Sequence, residues 1–337
     1  MTRGGDSLLL VTGATGLVGS HVVDRALHER FRVRALVRRP AECGDFLARG
    51  VELIEGSMTD ANALDRCVPD VTHVVHCAAK VGDWGPVEGY REVNVSAFKA
   101  LLGRFRNSPT LRRFVHVSSL GVYPARDHWG TDETTPPSTE GIDGYTLSKL
   151  EAEHVAIAAA RELRMPVMIV RPGFIYGPRD RSVLPRLLER LRSGQFAYLG
   201  DRTKLMNNTY VGNLVDAIFQ LLFRDVNSGE VFNITDGRLV TKEEFVGTVA
   251  ELAGLPEPRR TVPLGVAKVL AAVLETVWRW RCKTAAPLLS RARIKFLGLN
   301  LDFSIDKARR LLAYNPRYDF QDGIAETMAW FRNQGLS

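Results

Sequence analysis

Leu8-Leu9-Leu10-Val11-Thr12-Gly13-Ala14-Thr15-Gly16-Leu17-Val18-Gly19 is the stretch that decides the fold. An apolar run ends at Thr12 and meets three glycines spaced three apart. Val18, Val22, Val23, Ala26 and Leu27 then recur with the period of a helix. Glycine lets a backbone turn this tightly and come this close to a pyrophosphate. The new helix offers that anion its free N–H groups and the positive end of its dipole. A glycine-rich match by itself is weak; between a strand and a helix it has the context the motif needs. Gly13, Thr15, Gly16, Leu17 and Val18 are therefore candidate contacts for a dinucleotide.

Outward from that turn, strand and helix patterns alternate. Strands are predicted at Leu8–Val11, Arg32–Val37, Val51–Glu55, His73–His76, Arg113–Ser118 and Val167–Arg171, with the first helix over about Leu17–Arg30. Near-continuous apolar strands separated by helices imply a parallel sheet covered on both faces. Right-handed crossovers make it an α/β, doubly wound (Rossmann) sheet, whose ligands sit beyond the carboxyl ends of the strands. Residues 1–177 form the expected dinucleotide-binding core. Thr209–Val211 and Val231–Ile234 return to the sheet region, within a segment near 207–235. Residues 178–206 and 236–337 form a smaller, mostly helical substrate lobe. Pro124–Gly144 reads as a long polar loop, either a cover for substrate or a plain surface excursion.

The chain has 337 residues with 45% apolar and 25% charged content, the balance of a soluble globular protein with a sizeable core. Its net charge of +7 is scattered, and no basic block interleaved with aromatics points to nucleic acid. Cys43, Cys67, Cys77 and Cys282 form no C-x-x-C and no metal spacing, so no metal is expected. Reduced thiols and the absence of a leader pattern before the first strand make a cytoplasmic location the expectation. No apolar run reaches membrane-spanning length.

NAD specificity usually needs an acidic residue at the end of the second strand, where it bonds the ribose 2′-hydroxyl. Here that strand ends Val37-Arg38-Arg39-Pro40. A guanidinium fork suits a 2′-phosphate, which favours NADP(H), with NAD(H) as the alternative. Otherwise Arg38 and Arg39 belong to a solvated loop.

Tyr145-Thr146-Leu147-Ser148-Lys149 opens a helix pattern that runs to about Arg161. Tyr145 and Lys149, four apart, share a helix face. A nearby ammonium favours the phenolate and lowers the tyrosine pKa from about 10. Such a phenol can exchange a proton with an alcohol or carbonyl oxygen. Ser118-Ser119 at the end of a strand supplies a hydroxyl to hold that oxygen.

Taken together, these pieces resemble the extended short-chain dehydrogenases/reductases over nearly the whole chain. The matching motifs are the glycine turn, His76-Cys77-Ala78-Ala79, Asn94-Val95, Ser118-Ser119, Tyr145 to Lys149, and Arg171-Pro172-Gly173-Phe174-Ile175-Tyr176-Gly177-Pro178. The resemblance implies that Tyr145 is the general acid/base. It implies that Lys149 bonds the nicotinamide ribose and depresses the tyrosine pKa. Counted back from Val122-Tyr123, Ser119 rather than Ser118 matches the serine that holds the substrate oxygen. Asn94 matches a residue that steadies a helix near the site and is counted with the cofactor contacts. Ala78, Ala79 and Lys80 would line the cofactor, and Pro172 and Gly173 would lie beside the nicotinamide. The family often has Gly-Asp after the third strand, with the aspartate touching adenine; this chain has Gly56-Ser57-Met58 instead. Ser57 and Met58 stand where that contact falls, and Asp60 is expected to cap the next helix.

Nucleotide-sugar epimerases and dehydratases, which keep tightly bound NAD, share these motifs. Many carry asparagine at the place of Phe174, so phenylalanine points to an apolar ligand, unless it is simply core. Finer motifs resemble the 3β-hydroxysteroid dehydrogenase branch: Ala78-Ala79-Lys80-Val81-Gly82-Asp83-Trp84-Gly85, Asn208-Thr209-Tyr210-Val211-Gly212-Asn213-Leu214, and the tail from Phe303 to Pro316. That branch implies a secondary alcohol/ketone couple on a bulky apolar molecule such as a sterol, a 4-carboxysterol or a long-chain 3-oxo acid. A non-catalytic dinucleotide-sensing scaffold commonly lacks the tyrosine or the lysine; both are present here.

Residues 263–283 carry Val266, Val269, Leu270, Val273, Leu274, Val277 and Trp280 on one helical face, accompanied by Lys268, Glu275, Arg279, Arg281 and Lys283. The stretch either lies in a membrane surface, making the protein peripheral, or packs on the lobe's core or roofs the pocket. The family further implies a homodimer through the helix of Tyr145 and the helix after Asn94.

Overall fold

A computed structural model of the chain describes residues 4–139, 143–281, 283 and 285–335. Seven parallel strands form the central sheet: β1 (Leu8–Thr12), β2 (Arg32–Val37), β3 (Glu52–Glu55), β4 (His73–His76), β5 (Arg113–Val117), β6 (Val167–Pro172) and β7 (Val231–Ile234). Their order is β7-β6-β5-β4-β1-β2-β3. β1 therefore lies between β2 and β4, and the chain reverses its direction of travel across the sheet between them. A crevice opens at such a reversal, outside the carboxyl ends of the strands.

The pattern of the strands follows from burial on both faces. Leu8 and Leu10 pack on one side of the sheet with Phe98, Leu101 and Phe114. Leu9 and Val11 point the other way, to Val22, Val23 and Ala26. Successive side chains alternate between faces, so a strand covered twice must be apolar throughout. The covering helices that matter for the site are α1 (Leu17–His28), α2 (Ala61–Cys67), α3 (Ala97–Phe105) and α4 (Gly144–Glu162). Beyond the core lie α5 (Val211–Phe223), α6 (Leu264–Trp280) and α7 (Arg291–Gly298).

Two expectations change in detail. Val231–Ile234 does rejoin the main sheet, as the edge strand beside β6. Asn208–Tyr210 does not; it pairs in parallel with Phe174–Tyr176 to make a separate two-stranded ladder. Pro124–Gly144 is no plain surface loop, because His128–Thr131 pairs with Leu301–Phe303 from the C-terminal region. The excursion is thus stitched to the lobe, although residues 140–142 lie outside the described residues. Cys43, Cys67 and Cys77 are free thiols; Cys282 lies outside the described residues.

Candidate active site

The glycine turn is built by close packing. Gly13 has φ 70°. A Cβ there would lie 2.7 Å from the Ala78 nitrogen, so this glycine lets the turn pass under the β4 loop. A Cβ on Gly19 would lie 2.1 Å from the Gly13 carbonyl oxygen, so only glycine lets α1 sit down on the turn. Gly16 differs: it is exposed and meets nothing closer than 3.3 Å. It caps α1 with no side-chain hydrogen bond, and the first turn of α1 holds no acidic residue. Thr15, Gly16, Leu17 and Val18 are all partly or fully exposed around this uncapped helix end. That is the cradle a pyrophosphate requires, and the residues present fit a dinucleotide.

Next to the turn, Arg38, Glu55, Gly56, Ser57, Asp60 and Arg66 line a cavity of about 570 Å³ beyond β2 and β3. Ser57 Oγ lies 2.9 Å from Thr59 Oγ1 at its edge. Asp60 caps α2 as expected, accepting from the Ala63 nitrogen at 3.1 Å. Met58 is buried in the core, so its side chain is withdrawn from the cofactor contacts expected of it. A second cavity of about 250 Å³ is lined by Thr15, Arg38, Arg39, Arg179 and Arg181, among others. Arg39 pairs with Glu42 at 2.6 Å, and Arg179 with Asp24 at 2.5 Å. Arg179 and Arg181 were not singled out in the sequence. The signal was available, since they directly follow Gly177-Pro178, but some 140 residues separate them from Arg38.

At the other end of the crevice, Asp143 caps α4 through the Thr146 nitrogen at 2.9 Å. Tyr145 stands in the first turn and Lys149 one turn on. Lys149 Nζ donates to the Val117 carbonyl at 2.7 Å, which pins α4 to the end of β5. Ser118 and Ser119 follow that carbonyl. Ser118 donates its hydroxyl to Glu153 and is buried. Ser119 Oγ is half-buried and accepts from the Gly121 nitrogen at 3.0 Å, which leaves its own proton available for donation. Asn94 sits in a π-helical segment, Glu92–Ser96, that leads into α3. Its Oδ1 accepts from the Lys80 nitrogen at 2.7 Å, and its Nδ2 donates to the Lys80 carbonyl and to Ser148 Oγ. With its amide engaged and 2% exposed, Asn94 is a positioning residue and not a cofactor contact. It ties the Ala78–Lys80 loop to α4.

Electrostatics depart from the expectation for Tyr145. Burial pushes its phenol well above the usual range, and Asp143 adds to the rise. No depression by Lys149 offsets that rise. Lys149 itself is lowered to about 8 by burial, against the pull of Cys77 and Glu153. Beneath it His76, Phe98 and His116 stack at 4.7 and 4.4 Å between centroids. Burial and the Lys149 charge lower His76 to about 3 and His116 well below its ordinary value, so both rings are neutral.

The family model described as NAD dependent epimerase/dehydratase family matches residues 9–235. The chain belongs to this family. It is an NAD(P)-dependent enzyme of the short-chain dehydrogenase/reductase type. Among its relatives is a 4-hydroxy-2-methyl-3-oxo-4-farnesyl-3,4-dihydroquinoline-1-oxide ketoreductase from Stigmatella aurantiaca, 27% identical over 93% of each chain. A decarboxylating sterol-4-alpha-carboxylate 3-dehydrogenase from Candida albicans is 29% identical over 96% of this chain and 97% of its own. The crystal structure of gox2253 superposes with a TM-score of 0.82 at 28% identity, covering 98% of this chain and 99% of that one.

Within this epimerase/dehydratase-family fold, Arg171 has a place that its motif did not disclose. It stands in β6, a strand buried along its whole length. Its guanidinium meets Glu153 of α4 at 2.6 Å and Tyr123 Oη at 2.9 Å. Glu153 in turn accepts from Ser118, and Tyr123 donates to Asn233 Oδ1 of β7. This buried network locks α4, β5, β6 and β7 together below the catalytic end. Pro172 ends β6, and Gly173 follows it. A Cβ on Gly173 would lie 1.8 Å from the Asn207 carbonyl oxygen, so its glycine is required by close backbone approach. Phe174 is 8% exposed and packs on Phe245 and Phe296, so it is core, and the substrate argument drawn from it falls.

Proposed function

We propose that the protein is an NADP(H)-dependent oxidoreductase that interconverts a secondary alcohol and a ketone on a bulky apolar molecule. The class spans hydroxysteroids and sterols, 4-carboxysterols and long-chain 3-oxo acids. The observation that carries this reading is the seating of the Tyr145 helix on the end of β5, through Lys149 on the Val117 carbonyl just before Ser119, beside an apolar wall. Leu264, Phe296 and Leu299 of the C-terminal region pack there against Leu120 and Val122, next to Ser119. Lys295 of α7 holds that wall in place by donating to the Gly121 and Tyr123 carbonyls.

When bound, the nicotinamide supplies or accepts the hydride. The chain's own residues do the rest. Ser119 orients the substrate oxygen, and Tyr145 passes it a proton. Because burial keeps the phenol protonated at neutral pH, the resting site is set for donation, the direction that carbonyl reduction needs. Lys149, lowered to about 8, bonds the ribose while it still carries its proton. Where a carboxylate lies β to a newly formed ketone, loss of carbon dioxide follows without further protein groups.

The cofactor preference rests on Arg38, which borders both cavities beside the turn. The end of β2 itself offers a 2′-phosphate the guanidinium groups of Arg38 and Arg39 in place of the acidic residue that NAD enzymes carry, with Glu55 and Asp60 on the wall of the larger cavity and Glu42 and Asp45 on that of the smaller. A turnover screen with NADPH, NADH and their oxidised forms, against sterols, 3-hydroxy acids and nucleotide sugars, tests both halves. The expected result is activity on the apolar alcohols or ketones with NADP(H). Arg38→Ala should raise the KM for NADPH by about 10- to 100-fold, one lost charge-assisted bond, and leave NADH unaffected. Conversion of nucleotide sugars by protein that keeps its NAD would overturn the proposal.

A further inference from the structure

Helix α6 is built inside out. Its inward face is made of Ala267 and Ala271, fully buried against Leu199 and Ile294. Its outward face carries the large apolar side chains: Val266, Val269, Leu270, Val273 and Trp280 are 45–81% exposed. These positions follow the helical repeat, so they form one continuous stripe. A surface helix ordinarily buries such a stripe; this one does pack on its neighbours, but through the alanine face, and leaves the large side chains outside.

The stripe is held rigidly outward. Glu275, the only carboxylate between 263 and 283, is buried and accepts from the Arg291 nitrogen and side chain at 2.7 and 2.8 Å. Trp84 donates to the Lys283 carbonyl at 3.0 Å, and the Arg279 guanidinium lies 6.0 Å from the Trp84 ring. Asp83 pairs with Arg293 of α7 at 2.5 Å. Trp84 and Asp83 belong to the loop that begins at Ala78-Ala79-Lys80, so α6 is coupled to the rim of the crevice.

The charge around the stripe is of one sign. Lys268 and Arg279 are exposed on one flank of the helix, Arg279 within 3.7 Å of the buried Glu275, and Arg281 and Lys283 are exposed just beyond its end, with no exposed carboxylate among them. Two copies packed stripe to stripe would bring these cations together, which disfavours a self-contact. An apolar stripe with basic shoulders and a tryptophan at its end complements an anionic lipid surface. Among the described residues no helix is long and apolar enough to cross a membrane.

We propose that the outward stripe of α6 seats the protein on an anionic phospholipid bilayer. Val266, Val269, Leu270, Val273 and Trp280 enter the acyl boundary, and Lys268, Arg279, Arg281 and Lys283 meet headgroup phosphates. Docking sets the rim of the crevice at the bilayer surface, where an apolar substrate is dissolved; this second half rests on the reading of the reaction given above.

Flotation of the full chain with vesicles of phosphatidylcholine, with and without phosphatidylglycerol, tests it. Wild-type protein is expected to float with the anionic vesicles, less so in high salt, and to shift its tryptophan emission to the blue. Val269→Asp with Val273→Asp, at positions 67% and 53% exposed, should cut vesicle binding by about tenfold or more while melting temperature and NADPH binding stay unchanged. Turnover of a short water-soluble ketone by that variant should match wild type. Wild-type protein that stays free of anionic vesicles would overturn the proposal, as would a double variant that binds them equally well. So would light scattering that finds a wild-type dimer split by the two aspartates. If vesicles bind but neither protein reduces any apolar ketone, docking stands and the reading of the reaction fails.

Discussion

Tyr145→Phe should lower turnover by about 10²- to 10⁴-fold while NADPH binding survives. The substitution removes one oxygen and keeps the ring, which packs edge-on against Tyr90 at 6.5 Å between centroids. Helix α4 stays pinned, because its anchors are Asp143 at the cap and Lys149 on the Val117 carbonyl. What disappears is the proton that burial holds on the phenol. Steady-state kinetics alongside a cofactor titration by fluorescence separate the two effects. A variant with full turnover removes Tyr145 from the mechanism; one that loses NADPH binding as well makes the phenol a structural group.

The second large effect lies one layer down. Glu153→Gln leaves the Arg171 guanidinium buried without its counter-charge, which typically costs about 3–5 kcal/mol. Burial disfavours that cation, and Glu153 is the group that holds it charged. The same change weakens the acceptor for Ser118, next to the substrate hydroxyl. Thermal melts should show a marked loss of stability. Adding Arg171→Met should restore much of it, since replacing the guanidinium by an apolar side chain removes the unpaired charge. An unchanged melting temperature in the single variant would show that the network contributes little.

Much of this architecture was legible in the chain. Leu8 to Val11 are apolar at every position because both faces of β1 are covered, and Gly13 and Gly19 are where backbones approach too closely for any Cβ. Tyr145 and Lys149 were read from their spacing and Ser119 from the family resemblance; Lys149 does bond the Val117 carbonyl, two residues before Ser119. Other features depend on facts that spacing does not carry. Four residues on a helix put Tyr145 and Lys149 on one face, but the sign of the phenol's shift is set by burial, with Asp143 adding to it. Arg171 in an otherwise apolar strand signalled a buried partner without saying that it was Glu153, eighteen residues back on α4. Helix α6 is apolar on two faces, one of small alanines and one of large side chains. Composition did not say which face turns inward; packing against Leu199 and Ile294 chose the small one. Phe174 was ambiguous for the same reason, since an apolar residue fits a pocket and a core alike.

The central claim is that this site exchanges a hydride between a dissociable cofactor and an apolar carbinol carbon. The most direct test supplies NADPH deuterated at the reactive face of C4, together with an apolar ketone, and reads the product by mass spectrometry and NMR. The account predicts one deuterium per product molecule, on the carbinol carbon, with one NADPH consumed for each. Unlabelled product, or turnover of a nucleotide sugar with no net consumption of NADPH, would contradict it.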